Sequence, residues 1–135
     1  MRISFLDIKK QNSLIEKEIL LSIKNNINKS AFIGGNDLIE FQNDFSKYLN
    51  IKYCLGVANG TDALEIALKA LNIKKGSEII VPANTWISTA EAVLNNNYKV
   101  RFVDIDDTHN ICLIDFKKKI NKKTKAIMVV HLFGN

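Results

Sequence analysis
Tyr53-Cys54-Leu55-Gly56-Val57-Ala58-Asn59-Gly60-Thr61-Asp62-Ala63-Leu64-Glu65-Ile66-Ala67-Leu68-Lys69-Ala70-Leu71 is the stretch on which the fold turns. Tyr53 to Val57 is a short apolar run of the kind that forms a buried strand. Leu64, Ala67, Leu68 and Leu71 repeat at the spacing of one helix face. The residues between them, Asn59-Gly60-Thr61-Asp62, predict a tight turn and a helix start. Gly60 lacks the Cβ that would obstruct a close backbone approach or a positive φ. Asn59 is a favoured N-cap, and Asp62 falls in the first turn, where its charge suits the helix dipole. Unpaired N–H groups at such an end can hold an anion, most often a phosphate. The plainer alternative is a capped helix after a buried strand, binding nothing.

A second stretch bears on that choice. Val81-Pro82-Ala83-Asn84-Thr85-Trp86 follows the apolar run Glu78 to Val81 and leads into a helical pattern carried by Ile87, Ala90 and Leu94. Trp86, the one tryptophan of the chain, stands at a strand-to-helix junction. Parallel α/β sheets bind ligands at the C-terminal ends of their strands. A phosphate-type turn and a flat aromatic ring are thus expected at one sheet edge, and pyridoxal phosphate is a cofactor that would use both.

These motifs, with Ala31-Phe32-Ile33-Gly34-Gly35, Val103-Asp104-Ile105-Asp106 and Val130-His131-Leu132-Phe133-Gly134, match a known order and spacing. Together they resemble the N-terminal part of the DegT/DnrJ/EryC1/StrS family, the sugar aminotransferases that use pyridoxal phosphate. The resemblance implies a partial three-layer α-β-α sandwich of the aspartate-aminotransferase-like large-domain type, preceded by an N-terminal helical arm. It implies that residues 1–50 are the arm and residues 51–135 the first part of the cofactor domain. It assigns Gly60, Thr61 and Asp62 to the cofactor phosphate, Asp62 through its N–H, and Trp86 to stacking on the pyridine ring. Without it, Trp86 reads as a core or interface residue. The implied reaction is amino transfer, typically from glutamate, to a keto sugar carried on a nucleotide, by an enzyme that is a homodimer at full length; the expected location, by default from the sequence, is cytoplasmic. The family's cofactor-bound lysine and its pyridine-pairing aspartate lie downstream of the segment matching Val130 to Gly134. No lysine here stands at that position, so the chain alone is expected to be inactive. The alternative is a catalytically inactive remnant that binds a partner or serves as a split subunit.

The remaining features narrow the field. The hydrophobic fraction is 47% and the charged fraction 24%, ordinary values that argue against disorder. The formal charge is +5. Lysines crowd between Lys117 and Lys125, where no aromatic residue is interleaved to stack on bases, so a solvated face is favoured over a nucleic-acid site. Cys54 and Cys112 form no CxxC pair. His109 and Cys112 are at best half of a metal site. Met1 to Lys10 is broken by charges and reads as no signal peptide, and no apolar run approaches a membrane span. Asp104 and Asp106 read as turn and cap residues. His131 could face the pocket or be a satisfied boundary histidine, and is not assigned.

Two amphipathic helices are expected before the turn, one over Gln11 to Lys29 and one capped by Asn36. Four strands are expected, at Tyr53–Val57, Glu78–Val81, Val100–Val103 and Ala126–Val130. The helices between them fall at Thr61–Leu71, Thr85–Asn95 and Ile114–Ile120. Such alternation implies a parallel sheet covered on both faces.

Overall fold
The computed structural model describes residues 5–135. The first four residues of the charged N-terminal stretch lie outside the described residues. The chain divides into two compact units, residues 1–56 and 57–135.

The first unit is helical. The predicted Gln11–Lys29 helix is two helices, α1 (Ile8–Ser13) and α2 (Glu16–Lys29). The break has a local cause. Ser13 Oγ donates to the Lys10 carbonyl at 2.8 Å, and Asn12 and Ser13 both favour backbone-competing hydrogen bonds over helix interior. Glu16 and Glu18 then occupy the first turn of α2, where the dipole favours them. α2 ends at Ser30 in a left-handed conformation. α3 spans Asn36–Tyr48, and its cap is Gly35, at φ 87°, rather than the predicted Asn36. No described residue of this unit is fully buried.

The predicted strand Tyr53–Val57 is extended chain without a ladder. Tyr53 and Leu55 are exposed, and the Gly56 N–H donates to the Gln42 side-chain oxygen at 2.8 Å instead of to a strand. An apolar run becomes a strand only where a partner strand pairs with it, and among the described residues this run has none.

The second unit holds that sheet. In order come α4 (Gly60–Ala70), β1 (Glu78–Pro82), α5 (Ser88–Asn95), β2 (Lys99–Val103), α6 (Leu113–Lys119), β3 (Thr124–Ile127) and a 3-10 turn at Leu132–Gly134. The three strands are parallel in the order β2-β1-β3. β1 is buried throughout, as expected for a central strand. Right-handed crossovers that run first to one side of β1 and then to the other put α5 and α6 on opposite faces. On one face Ile79 and Val81 pack with Leu68 of α4, Ala92 and Val93 of α5, and Tyr98. On the other, Glu78 is clamped by Arg101 through bonds of 2.6 and 3.0 Å and by Asn121 at 2.8 Å. The Arg101 bonds, then the Asn121 bond, hold the Glu78 carboxyl down at about 2.

β3 starts two residues earlier than predicted and stops three earlier. Ile80 pairs with Ile127, and the Met128 N–H reaches the Ile80 carbonyl at 2.8 Å. Val129 and Val130 then leave the ladder at the C-terminal edge of the sheet. α5 likewise starts at Ser88, not Thr85, so that Thr85 to Ile87 form the connection at that same edge.

Candidate functional site
Three segments meet beyond the C-terminal ends of β1 and β3: the start of α4, the connection into α5, and the chain after β3. At the start of α4, Asn59 is extended and caps the helix. Its Oδ1 accepts the Asp62 N–H at 2.9 Å, its Nδ2 donates to Asp62 Oδ2 at 3.3 Å, and its carbonyl accepts the Ala63 N–H at 3.1 Å. The Asp62 N–H, expected from the sequence to face a phosphate, is therefore engaged within the cap. The N–H groups left without a protein acceptor among the described residues are those of Gly60 and Thr61.

Gly60 does not serve the conformational purpose its sequence context suggested. Its φ lies outside the left-handed region, and a Cβ there would meet nothing within 4 Å. The fold tolerates a side chain at this position; the space it would occupy is on the wall of a cleft of about 620 Å³.

That cleft brings Gly60, Thr61 and Trp86 together, and with them residues the sequence reading did not single out. Thr61 Oγ1 donates to Ser88 Oγ at 2.9 Å, joining the first turn of α4 to the first residue of α5. Ser88 is buried. Thr85 and Thr89 hydroxyls lie 3.1 Å apart beside them. Thr85, Ser88 and Thr89 stand at the i, i+3 and i+4 spacing of one helix face, the signal that could have marked them. Trp86 is 76% exposed, so its ring is open for contact rather than part of the core. His131 also lines the cleft, its Nδ1 3.3 Å from the Asn135 carbonyl oxygen. Asp62 is absent from the lining, and among the described residues no carboxylate lines the cleft. The site can thus offer two backbone N–H groups, paired hydroxyls and a flat apolar ring to an anion that carries a planar body.

Residues 13–135 match the DegT/DnrJ/EryC1/StrS aminotransferase family. The chain belongs to that family. Among its curated relatives is dTDP-3-amino-3,6-dideoxy-alpha-D-galactopyranose transaminase of Aneurinibacillus thermoaerophilus, 40% identical over 98% of this chain and 37% of its own. Among solved structures, DesV of S. venezuelae in complex with a ketimine intermediate superposes with a TM-score of 0.93 at 30% identity, over 99% of this chain and 36% of the other. NtdA of Bacillus subtilis with bound cofactor PMP gives a TM-score of 0.90 at 33% identity, over 98% of this chain and 31% of the other. The chain therefore spans a little over a third of the curated relative's length.

Within this DegT/DnrJ/EryC1/StrS member, the two aspartates after β2 do local work away from the cleft. Asp104 Oδ1 accepts the Ile105 N–H at 2.8 Å, and its own N–H donates to Asp115 at 2.8 Å. Asp106 Oδ1 accepts from the Thr108 hydroxyl at 2.5 Å and N–H at 2.9 Å, bonds that lower its carboxyl pKa. Both are the turn and cap residues the sequence suggested. Among the described residues no group of three or more His, Cys, Asp or Glu is placed to hold a metal, and no helix is long and apolar enough to cross a membrane.

Proposed function
We propose that this chain is the cofactor-phosphate-binding portion of a pyridoxal-phosphate-dependent transaminase. The enzyme would move an amino group, with glutamate as donor, to a keto sugar carried on a nucleotide, in amino-sugar or surface-polysaccharide biosynthesis. The observation that carries this is the pair of N–H groups at Gly60 and Thr61, free of protein acceptors, next to the Thr61–Ser88 hydroxyl pair and the open face of Trp86.

The donor set fits the group. Two N–H donors at a helix start and two hydroxyls suit a phosphate, and the missing Cβ of Gly60 leaves room for it to approach the backbone. Thr61 and Ser88 would orient the phosphate by hydrogen bonds, one hydroxyl fixing the rotamer of the other. Trp86 would lie against the pyridine ring and fix its plane. Asn59 and Asp62 act indirectly, holding the turn so that the two N–H groups converge. When bound, the cofactor supplies the electron sink for amino transfer. No lysine of this chain is assigned to attach it.

The wider reading is a three-layer α-β-α domain at 51–135, a helical arm at 1–50, a cytoplasmic location and a homodimer at full length. The exposed apolar stripe of α2 and α3 supports the dimer, because such a stripe needs a covering surface. The test is turnover of a keto nucleotide sugar with glutamate by the protein that carries this chain. Activity lost in the absence of pyridoxal phosphate and restored by it supports the proposal. A protein that retains no cofactor and turns over no keto nucleotide sugar contradicts it.

A further inference from the structure
At the opposite end of the strands from the cleft, two turns gather five lysines around one hollow. Lys74 and Lys75 lie in the turn that enters β1. Lys122 and Lys123 lie in the turn that enters β3, and Lys125 is on that strand. Because β1 and β3 are parallel neighbours, their entry turns sit side by side, joined by the Glu78 N–H donating to the Lys123 carbonyl at 2.9 Å. The hollow between them has a volume of about 330 Å³ and is lined besides by Gly76 and Ser77.

Among the described residues the lysines have no counterions of their own. No acidic residue among those described lines the hollow. Among the described residues the ion pairs use other cations, Lys47, Arg101 and Lys119. Glu78 feels the charge of Lys123, but its oxygens are already held by Arg101 and Asn121. Like charges gathered in a hollow raise the local potential and repel one another. A compact anion of several charges relieves that repulsion, and the more charges it carries the more ammonium groups it can satisfy.

The surroundings select the kind of anion. Among the described residues no aromatic side chain lines the hollow to stack on a base, as single-stranded nucleic acid would use. No large apolar side chain among the described residues stands there to enter a lipid surface. What remains is a concave cluster of point charges, which suits linked phosphates. We propose that this hollow binds an oligophosphate chain, two or more linked phosphate groups, either free or as part of a nucleotide.

The experiment is calorimetric titration of the full protein that carries this chain, loaded with its cofactor, using tripolyphosphate and ATP in separate arms at low ionic strength. Saturable binding is expected in at least one arm, weakening as salt is added. Lys123→Gln and Lys125→Gln should each weaken it about two- to fivefold, and Lys123→Arg should restore it. Lys17→Gln, on α2 and not among the residues that line the hollow, should leave it unchanged. Equal affinity in the two arms assigns the site to the bare phosphate chain. ATP binding about tenfold tighter assigns it to a nucleotide, whose remainder would reach the adjoining polar hollow at Asn72, Asn96 and Tyr98, which shares Lys75. No saturable binding in either arm at low salt overturns the proposal. So does binding that Lys123→Gln and Lys125→Gln leave intact, or that Lys17→Gln weakens equally.

Discussion
The two units of this chain carry apolar patterns of similar regularity and use them differently. α2 and α3 each have an apolar stripe as well defined as that of α4. In the second unit Leu68 of α4 is buried, because Ile79 and Val81 of the sheet are there to receive it. In the first unit Ile19, Ile23, Ile27, Phe41 and Phe45 all remain exposed, and no described residue is buried. The lesson is that periodicity states which face of a helix needs covering. It does not state what covers it. A central parallel strand supplies the cover in one unit, and nothing equivalent is present among the described residues of the other.

The largest expected difference follows from that contrast. Ile79→Ala opens a cavity beside fully buried neighbours and should destabilise the second unit by about 2–5 kcal/mol. Ile23→Ala, at a half-exposed position, should cost less than about 0.5 kcal/mol. Urea unfolding of each variant against the parent measures both. Equal losses would mean that the helical unit has a core of its own, and the contrast would fail.

Ion pairs should follow the same division. The folded Glu78 carboxyl sits at about 2 against an ordinary 4.5. Its contribution to stability is therefore fully present above pH 4.5 and is lost as pH falls toward 2. Glu78→Gln should flatten the acid limb of the unfolding profile in that window. Asp44→Asn, which removes a pair whose side chains are 77–78% exposed, should not. An acid limb unchanged in Glu78→Gln would show that the clamp across β1, β2 and the turn before β3 carries no stability.

Helix caps give the smallest effect. Asn59→Ala removes a two-way cap on a helix packed against the core, with a loss of about 1 kcal/mol. Asp7→Ala removes the bond to the Lys10 N–H at 3.0 Å, at the start of a six-residue exposed helix, and should leave the unfolding midpoint unmoved. Thermal melts followed by circular dichroism distinguish the two.

Much of the sheet unit was legible in the sequence because its signals are local and agree with one another. The cap at Asn59, the buried run at β1 and the turn aspartates after β2 each follow from residue chemistry over a few positions. The apolar run Tyr53–Val57 misled because strand formation depends on a partner strand, which no local pattern records. The N–H of Asp62 was assigned to a phosphate although the Asn59 cap, itself legible in the sequence, takes it. Ser88 was missed because its importance is a contact with Thr61, 27 residues away. The helix break at Ser13 was readable in principle, from two polar residues that compete for backbone groups.

The central claim is that the Gly60–Thr61 turn, with the Thr61–Ser88 hydroxyl pair, holds the cofactor by its phosphate. The direct measurement is the dissociation constant of pyridoxal phosphate and of pyridoxal, by equilibrium dialysis, for the parent protein and for Thr61→Ala and Ser88→Ala. The phosphate form should bind more tightly to the parent, and each variant should weaken it by about 1.5–3 kcal/mol, the worth of a hydrogen bond to a charged group, while binding of pyridoxal changes little. Parent affinities that are equal for the two ligands, or variants that bind the phosphate form as well as the parent does, would contradict the account and leave the turn as a helix cap alone.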